Sequence, residues 1–101
     1  MIMIIGDWNK DTKAFEKAEE QLINTERYHK IYGTVDIINP CKLFEQLYFL
    51  DDKQRLDLLL HLLRNCDMIY AVKSWEIYDD ARILHDYAGA NGYKIIYSKK
   101  F

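Results

Sequence analysis

The residues that punctuate or staple a chain are scarce here: one proline, four glycines and two cysteines in 101 residues. So little Gly and Pro excludes collagen-like and low-complexity chains, and an apolar content of 50% excludes a disordered one. Cys41 and Cys66 make no disulfide framework; each sits among apolar neighbours and reads as a small buried hydrophobe. Long apolar runs are also missing. The longest span about five residues, too few for a membrane helix or the core of an export signal. Nor is there a surplus of one charge: 14 basic and 16 acidic residues leave a formal net charge of -2 with no basic run, so the phosphate footprint of a nucleic-acid binder is lacking. His29, His61 and His85 lie far apart, and none has a Cys or second His at ligand spacing. His61 and Cys66, five apart on a predicted helix, point to different faces. The expectation is therefore one cytoplasmic domain over 1–101, with no metal, no cofactor, no nucleic acid and no membrane among its partners.

What is present is an alternation of short apolar runs with helical stretches. Ile2 to Ile5 is wholly apolar and stops at Gly6, as a strand buried on both faces does. Asp11 to about Arg27 turns helical, with Asp11 or Thr12 to cap it and Ala14, Phe15, Ala18 and Leu22 on one face. Thr34 to Ile38 is β-branched and is ended by Asn39-Pro40. Lys42 to Leu50 reads as a short helix and Lys53 to Asn65 as a longer one. Cys66 to Val72 is the third strand, Asp79 to Asn91 a helix ended by Gly92, and Tyr93 to Ser98 the last strand.

This order predicts an α/β fold of three αβα layers around a four-stranded parallel sheet with right-handed crossovers. Strands one and three, apolar throughout, belong at the centre. Strands two and four carry Asp36 and Lys94, which suits edges. The strand order is then 2-1-3-4, a small relative of the flavodoxin-like sheet.

In such a sheet the ligand crevice lies at the carboxyl ends of the strands where the winding reverses, here between strands one and three. The loops that enter it are Gly6 to Lys10 and Lys73 to Asp79, and they hold both tryptophans, Trp8 and Trp75. Two indoles beside one crevice would clamp a flat ring such as a nucleobase; the plainer reading is that each covers the small core. Asp7, Glu76, Asp79 and Asp80 gather around the same mouth, and one of the last two is expected to cap the fourth helix. Asp57 stands among Leu56, Leu58, Leu59 and Leu60, where it is either functional or turned to solvent. Familiar fingerprints are absent: no G-x-G-x-x-G follows a strand, no G-K-[ST] loop exists, and no Ser or Cys sits at a strand-to-helix elbow. The 53–65 helix carries leucines on more than one face, and Phe44, Leu47, Tyr48 and Phe49 precede it. That excess suggests a homo-oligomer contact through this helix.

The chain resembles small bacterial and phage proteins of unknown function that belong with the nucleoside 2-deoxyribosyltransferase superfamily. The resemblance covers nearly the whole length. It rests on the first strand ending in Gly6, on Asn39-Pro40, on Asp57, on Cys66 to Tyr70, on Trp75, on Ala81-Arg82, on Tyr87-Ala88 and on Gly92 to Tyr97. It implies the fold of that superfamily and a nucleoside or nucleotide ligand. Those transferases exchange or hydrolyse N-glycosidic bonds through a carboxylate nucleophile, aided by a second acid. The resemblance puts the nucleophilic Glu at the position of Leu84, which has no lone pair, and the auxiliary acid at Asp57. Ile5 and Asp7 flank the glycine where a small or hydroxyl residue and a proline are usual, and Asp80 replaces the glycine that opens the fourth helix. The resemblance thus implies a degenerate, non-catalytic member whose ligand meets Gly6, Asp7, Trp8, Asp57, Trp75, Glu76, Asp80 and Leu84. The alternatives are an N-glycosidic-bond enzyme that uses Asp80 or Glu76 with Asp57, and a protein-interaction module without a ligand.

Overall fold

The computed structural model describes residues 1–24 and 36–98. In chain order its elements are β1 (Ile2–Ile5), α1 (Thr12–Asn24), β2 (Ile37–Ile38), α2 (Pro40–Gln46), α3 (Asp52–Leu63), β3 (Met68–Ala71), one 3₁₀ turn (Lys73–Glu76), α4 (Asp79–Ala90) and β4 (Lys94–Tyr97). All strands pair in parallel in the order β2-β1-β3-β4, as the placement of apolar and charged residues predicts. Every side chain of β1 and β3 is buried, whereas Asp36 before β2 and Lys94 in β4 are exposed at the edges. Right-handed crossovers put α1 on one face of the sheet and α3 with α4, which touch each other, on the opposite face.

Local chemistry sets the element ends. α1 buries Phe15, Ala18 and Leu22 and turns Lys13, Glu16, Lys17 and Glu20 outward. The expected continuation of this helix to Arg27, the Thr34-Val35 start of the second strand and His29 lie outside the described residues. The short helix starts two residues earlier than its apolar pattern predicts. Asn39 caps it, its Oδ1 accepting the Cys41 N–H at 3.0 Å, and Pro40 takes the first helical position, where no N–H is needed. It ends at Gln46, so Leu47 to Leu50 form a connection rather than a last turn. A reciprocal capping box opens α3: Asp51 accepts the Gln54 N–H at 2.8 Å and Gln54 accepts the Asp51 N–H at 2.9 Å. Gly92, at φ +73°, ends α4 as expected, and the Tyr93 N–H closes on the Ala88 carbonyl at 2.9 Å.

The core gathers Met3, Ile4 and Ile5 of β1, Ile69 of β3, Phe15 of α1, Leu59 and Leu63 of α3, and Leu84 of α4. Both cysteines are buried free thiols. Much of the leucine surplus is used inside the molecule, because Leu56, Leu58, Leu60 and Leu62 are half-buried against this core. Among the described residues no helix is long and apolar enough to cross a membrane.

Candidate functional site

Ile5 and Ala71 lie side by side at the carboxyl ends of β1 and β3, and the chain leaves them through Gly6 and Val72. Gly6 is set by close approach: a Cβ there would stand 2.2 Å from Val72 Cγ2. The Asp7 N–H then donates to Ser74 Oγ at 3.0 Å, tying the loop after β1 to the 3₁₀ turn after β3. The Asp7 carboxylate accepts the Asn9 N–H at 3.1 Å, and its carbonyl accepts from Lys10 and Asp11. This tight turn sends Trp8 inward and Asn9 outward.

The Trp8 indole is 5% exposed. Its ring meets Tyr78 edge-on, centroids 4.9 Å apart and planes at 86°, and leans on Phe44 at 5.9 Å. Above it runs a chain of polar contacts. Arg55 Nη1 of α3 donates to Asn9 Oδ1 at 3.2 Å, and Asn9 Nδ2 donates to the Tyr78 hydroxyl at 3.1 Å. The Asp80 carboxylate lies near enough for its charge to act on the Tyr78 phenol. The Arg55 guanidinium also lies over the Phe44 ring, 5.2 Å from its centre. Three buried N–H donors near this cluster have no partner: Trp8 Nε1, Arg55 Nε and Asn39 Nδ2. Burial, and then the negative charge of Asp52, hold the Asp80 carboxyl above its ordinary range. Burial, followed by Asp80, Asp52 and Asp7, pushes the Tyr78 phenol up to about 12, so it remains a donor at neutral pH.

The site residues named from sequence are only partly brought together. Gly6, Asp7, Trp8 and Asp80 share the mouth. The two indoles do not form a facing pair, contrary to the expected clamp: Trp75 stacks on His85, centroids 4.0 Å apart and planes within 17°, and leans on Tyr97. The reason is directional, since the turn at Asp7 points Trp8 into the core while the 3₁₀ turn points Trp75 towards α4 and β4. Leu84 is fully buried under the mouth. Asp57 is exposed, and at about 100° per residue it lies some 200° round α3 from Arg55, away from the cluster. Glu76 is exposed on the 3₁₀ turn. Neither Asp79 nor Asp80 caps α4; Tyr78 holds the cap position without a side-chain bond, and Asp79 pairs with Arg82 one turn on. Asn9, Arg55 and Tyr78 belong to no spacing that carries a chemical signature, and Phe44, expected on an apolar partner surface, is instead buried against Trp8. Among the described residues no group of three His, Cys, Asp or Glu side chains is placed to hold a metal.

No curated protein and no solved structure matches this chain. A family model does match, over residues 3–97, and with nearly the whole length covered the chain belongs to the family described as a domain of unknown function, DUF4406.

Proposed function

We propose that the chain binds a nucleoside or nucleotide at the mouth between β1 and β3 and has lost the glycosyl-transfer chemistry of the superfamily it resembles. The observation that carries this reading is Trp8, a buried indole with an unpartnered N–H, edge-on to Tyr78 at the point where the sheet reverses its winding. A ring nitrogen or carbonyl on a base supplies the acceptor that Trp8 Nε1 lacks, and an exocyclic amine finds its acceptor in Asp80. Asn9, bridging Arg55 and Tyr78 across the entrance, swings aside to admit the ring.

Leu84 stands where the resemblance puts the nucleophile, fully buried and without a lone pair. Asp80, one turn earlier on α4, is a poor replacement, because about 6 Å of helix rise separates it from the position the resemblance gives the nucleophile. Asp57 points away from it. Thermal unfolding across a panel of 2′-deoxynucleosides and their 5′-monophosphates tests the binding; a ligand at 100 times its dissociation constant adds about 2.7 kcal/mol. No shift over the whole panel would leave a protein-interaction module as the better reading. Free base released from a deoxynucleoside, and lost in Asp57→Asn, would restore an N-glycosidic-bond enzyme.

The domain works in the cytoplasm in this reading, and copies associate through α3. The half-buried Leu58 and Leu62, with Tyr48 at 77% and Phe49 at 69% exposure ahead of the helix, supply the apolar contact. Light scattering on the eluting protein tests this, with a monomer at all concentrations as the contrary result.

A further inference from the structure

Arg55 is a half-buried cation without a counter-charge. Its guanidinium lies 5.2 Å from the centre of the Phe44 ring, its Nη1 donates to Asn9 Oδ1 at 3.2 Å, and its Nε–H is buried with no acceptor. Among the described residues it makes no ion pair. Asp51, four residues before it, is committed to its capping box, and Asp7 to the Asn9 N–H. The other arginines of the described chain differ: Arg64 is exposed at the end of α3, and Arg82 is paired with Asp79.

The contacts around Arg55 close on themselves. Asn9 passes from Arg55 to Tyr78 at 3.1 Å, Tyr78 meets Trp8 at 4.9 Å, Trp8 meets Phe44 at 5.9 Å, and Phe44 lies against Arg55 again. Two buried N–H groups on this ring of five side chains are unpartnered, Arg55 Nε and Trp8 Nε1. Both are donors, so what they lack is an acceptor. A neutral carbonyl would satisfy the indole and leave the guanidinium charge uncompensated; an oxyanion answers both. With Nη1 held by Asn9, the opposite edge of the guanidinium presents Nε–H and one Nη2–H side by side, the pair that takes two oxygens of one oxyanion.

We propose that Arg55 is an oxyanion-binding residue, whose Nε–Nη2 edge takes a phosphate or carboxylate group of a small molecule at this mouth. Phe44 sets the plane of the fork by stacking and Asn9 fixes its rotation, so little side-chain freedom is left to lose on binding. The proposal goes beyond the nucleoside reading and does not need it, because any small acid carries the group that Arg55 lacks.

Spectra of the arginine Nε–H groups in nitrogen-labelled protein, assigned by substitution, test this with inorganic phosphate and with acetate, each against chloride at equal ionic strength. The Arg55 signal is expected to move and saturate while those of Arg64 and Arg82 hardly change; a response to phosphate alone identifies a phosphoryl group, and one to acetate alone a carboxylate. Arg55→Lys keeps the charge and loses the fork, and is expected to bind the same anion at least tenfold more weakly, read from the loss of its thermal stabilisation. Circular dichroism checks that this variant folds; if it does not, the wild-type spectra decide alone. An Arg55 signal that stays in place with both anions, as it would if repulsion by Asp80 prevailed, overturns the proposal. So does an Arg55 signal that moves only in step with the exposed Arg64, or a folded Arg55→Lys that binds as tightly as wild type. Base binding is decided separately by the nucleoside panel.

Discussion

Gly6 and Val72 touch so closely that a single added methyl on the first would stand 2.2 Å from Cγ2 of the second. Phe15 Cε1 and Ser74 Oγ close in from other sides at 3.2 and 3.0 Å, so the loop after β1 has no room to shift. Gly6→Ala is therefore expected to cost about 1–3 kcal/mol, the range of over-packed cores. Gly89 in α4 meets nothing within 4 Å, and Gly89→Ala is expected to stabilise by about 0.5 kcal/mol. Urea unfolding of the two variants checks both signs.

Leu84→Glu puts back the acid that the resemblance calls for, but into a fully buried position. At neutral pH an unpaired buried carboxylate is expected to destabilise by several kcal/mol. The new group takes a proton more readily folded than unfolded, so the deficit against wild type shrinks as pH falls towards about 4. Denaturant midpoints at the two pH values decide it; a variant as stable as wild type at pH 7 would mean that the position opens to water.

Asp80 gives a pH dependence of definite sign. Its folded-state carboxyl titrates above the ordinary value of 3.8, chiefly through burial and then through Asp52. The native state holds this proton more tightly than the unfolded chain. Its favourable contribution is complete below the ordinary value and is lost as pH rises through the raised one. Asp80→Asn is thus expected to be the more stable protein at pH 7, by about 0.5 kcal/mol for a partly exposed group, with the difference gone near pH 3. A variant less stable than wild type at pH 7 would contradict this.

Burial pushes the Cys41 thiol up to about 12 and the Cys66 thiol up to about 11, with nearby carboxylates adding to the first. At pH 8 the thiolate fraction of either is then about one in a thousand or less. Iodoacetamide is expected to leave both unmodified in the native protein and to label both after denaturation, read by mass spectrometry. Fast native labelling of either thiol would show that its pocket opens.

The sheet was legible because its evidence is local. The unbroken apolar runs Ile2–Ile5 and Met68–Ala71 mark strands covered on both faces, and Asp36 and Lys94 mark edges, so the order follows without knowledge of any contact. Gly92 acts within one turn and reads equally well, but the N-caps do not: Asn39 and Asp51 open their helices ahead of the apolar pattern, and at α4 two acids in the first turn look like caps while a tyrosine precedes them. The site was legible only as a place. Asn9 meets Arg55 from 46 residues away and Tyr78 from 69, and no periodicity records such a meeting. The direction of an indole is similarly unwritten. Trp8 and Trp75 come from neighbouring loops, yet one joins Phe44 and Tyr78 and the other joins His85.

Nucleoside binding at the mouth is tested most directly by the two indole N–H signals in a nitrogen-labelled sample, with each tryptophan assigned by substitution. Titration with 2′-deoxynucleosides is expected to move the Trp8 Nε1–H signal strongly, as an unpartnered donor gains an acceptor, and to move the Trp75 signal much less. A Trp8 signal that stays in place at millimolar nucleoside, for every base, would contradict the proposal.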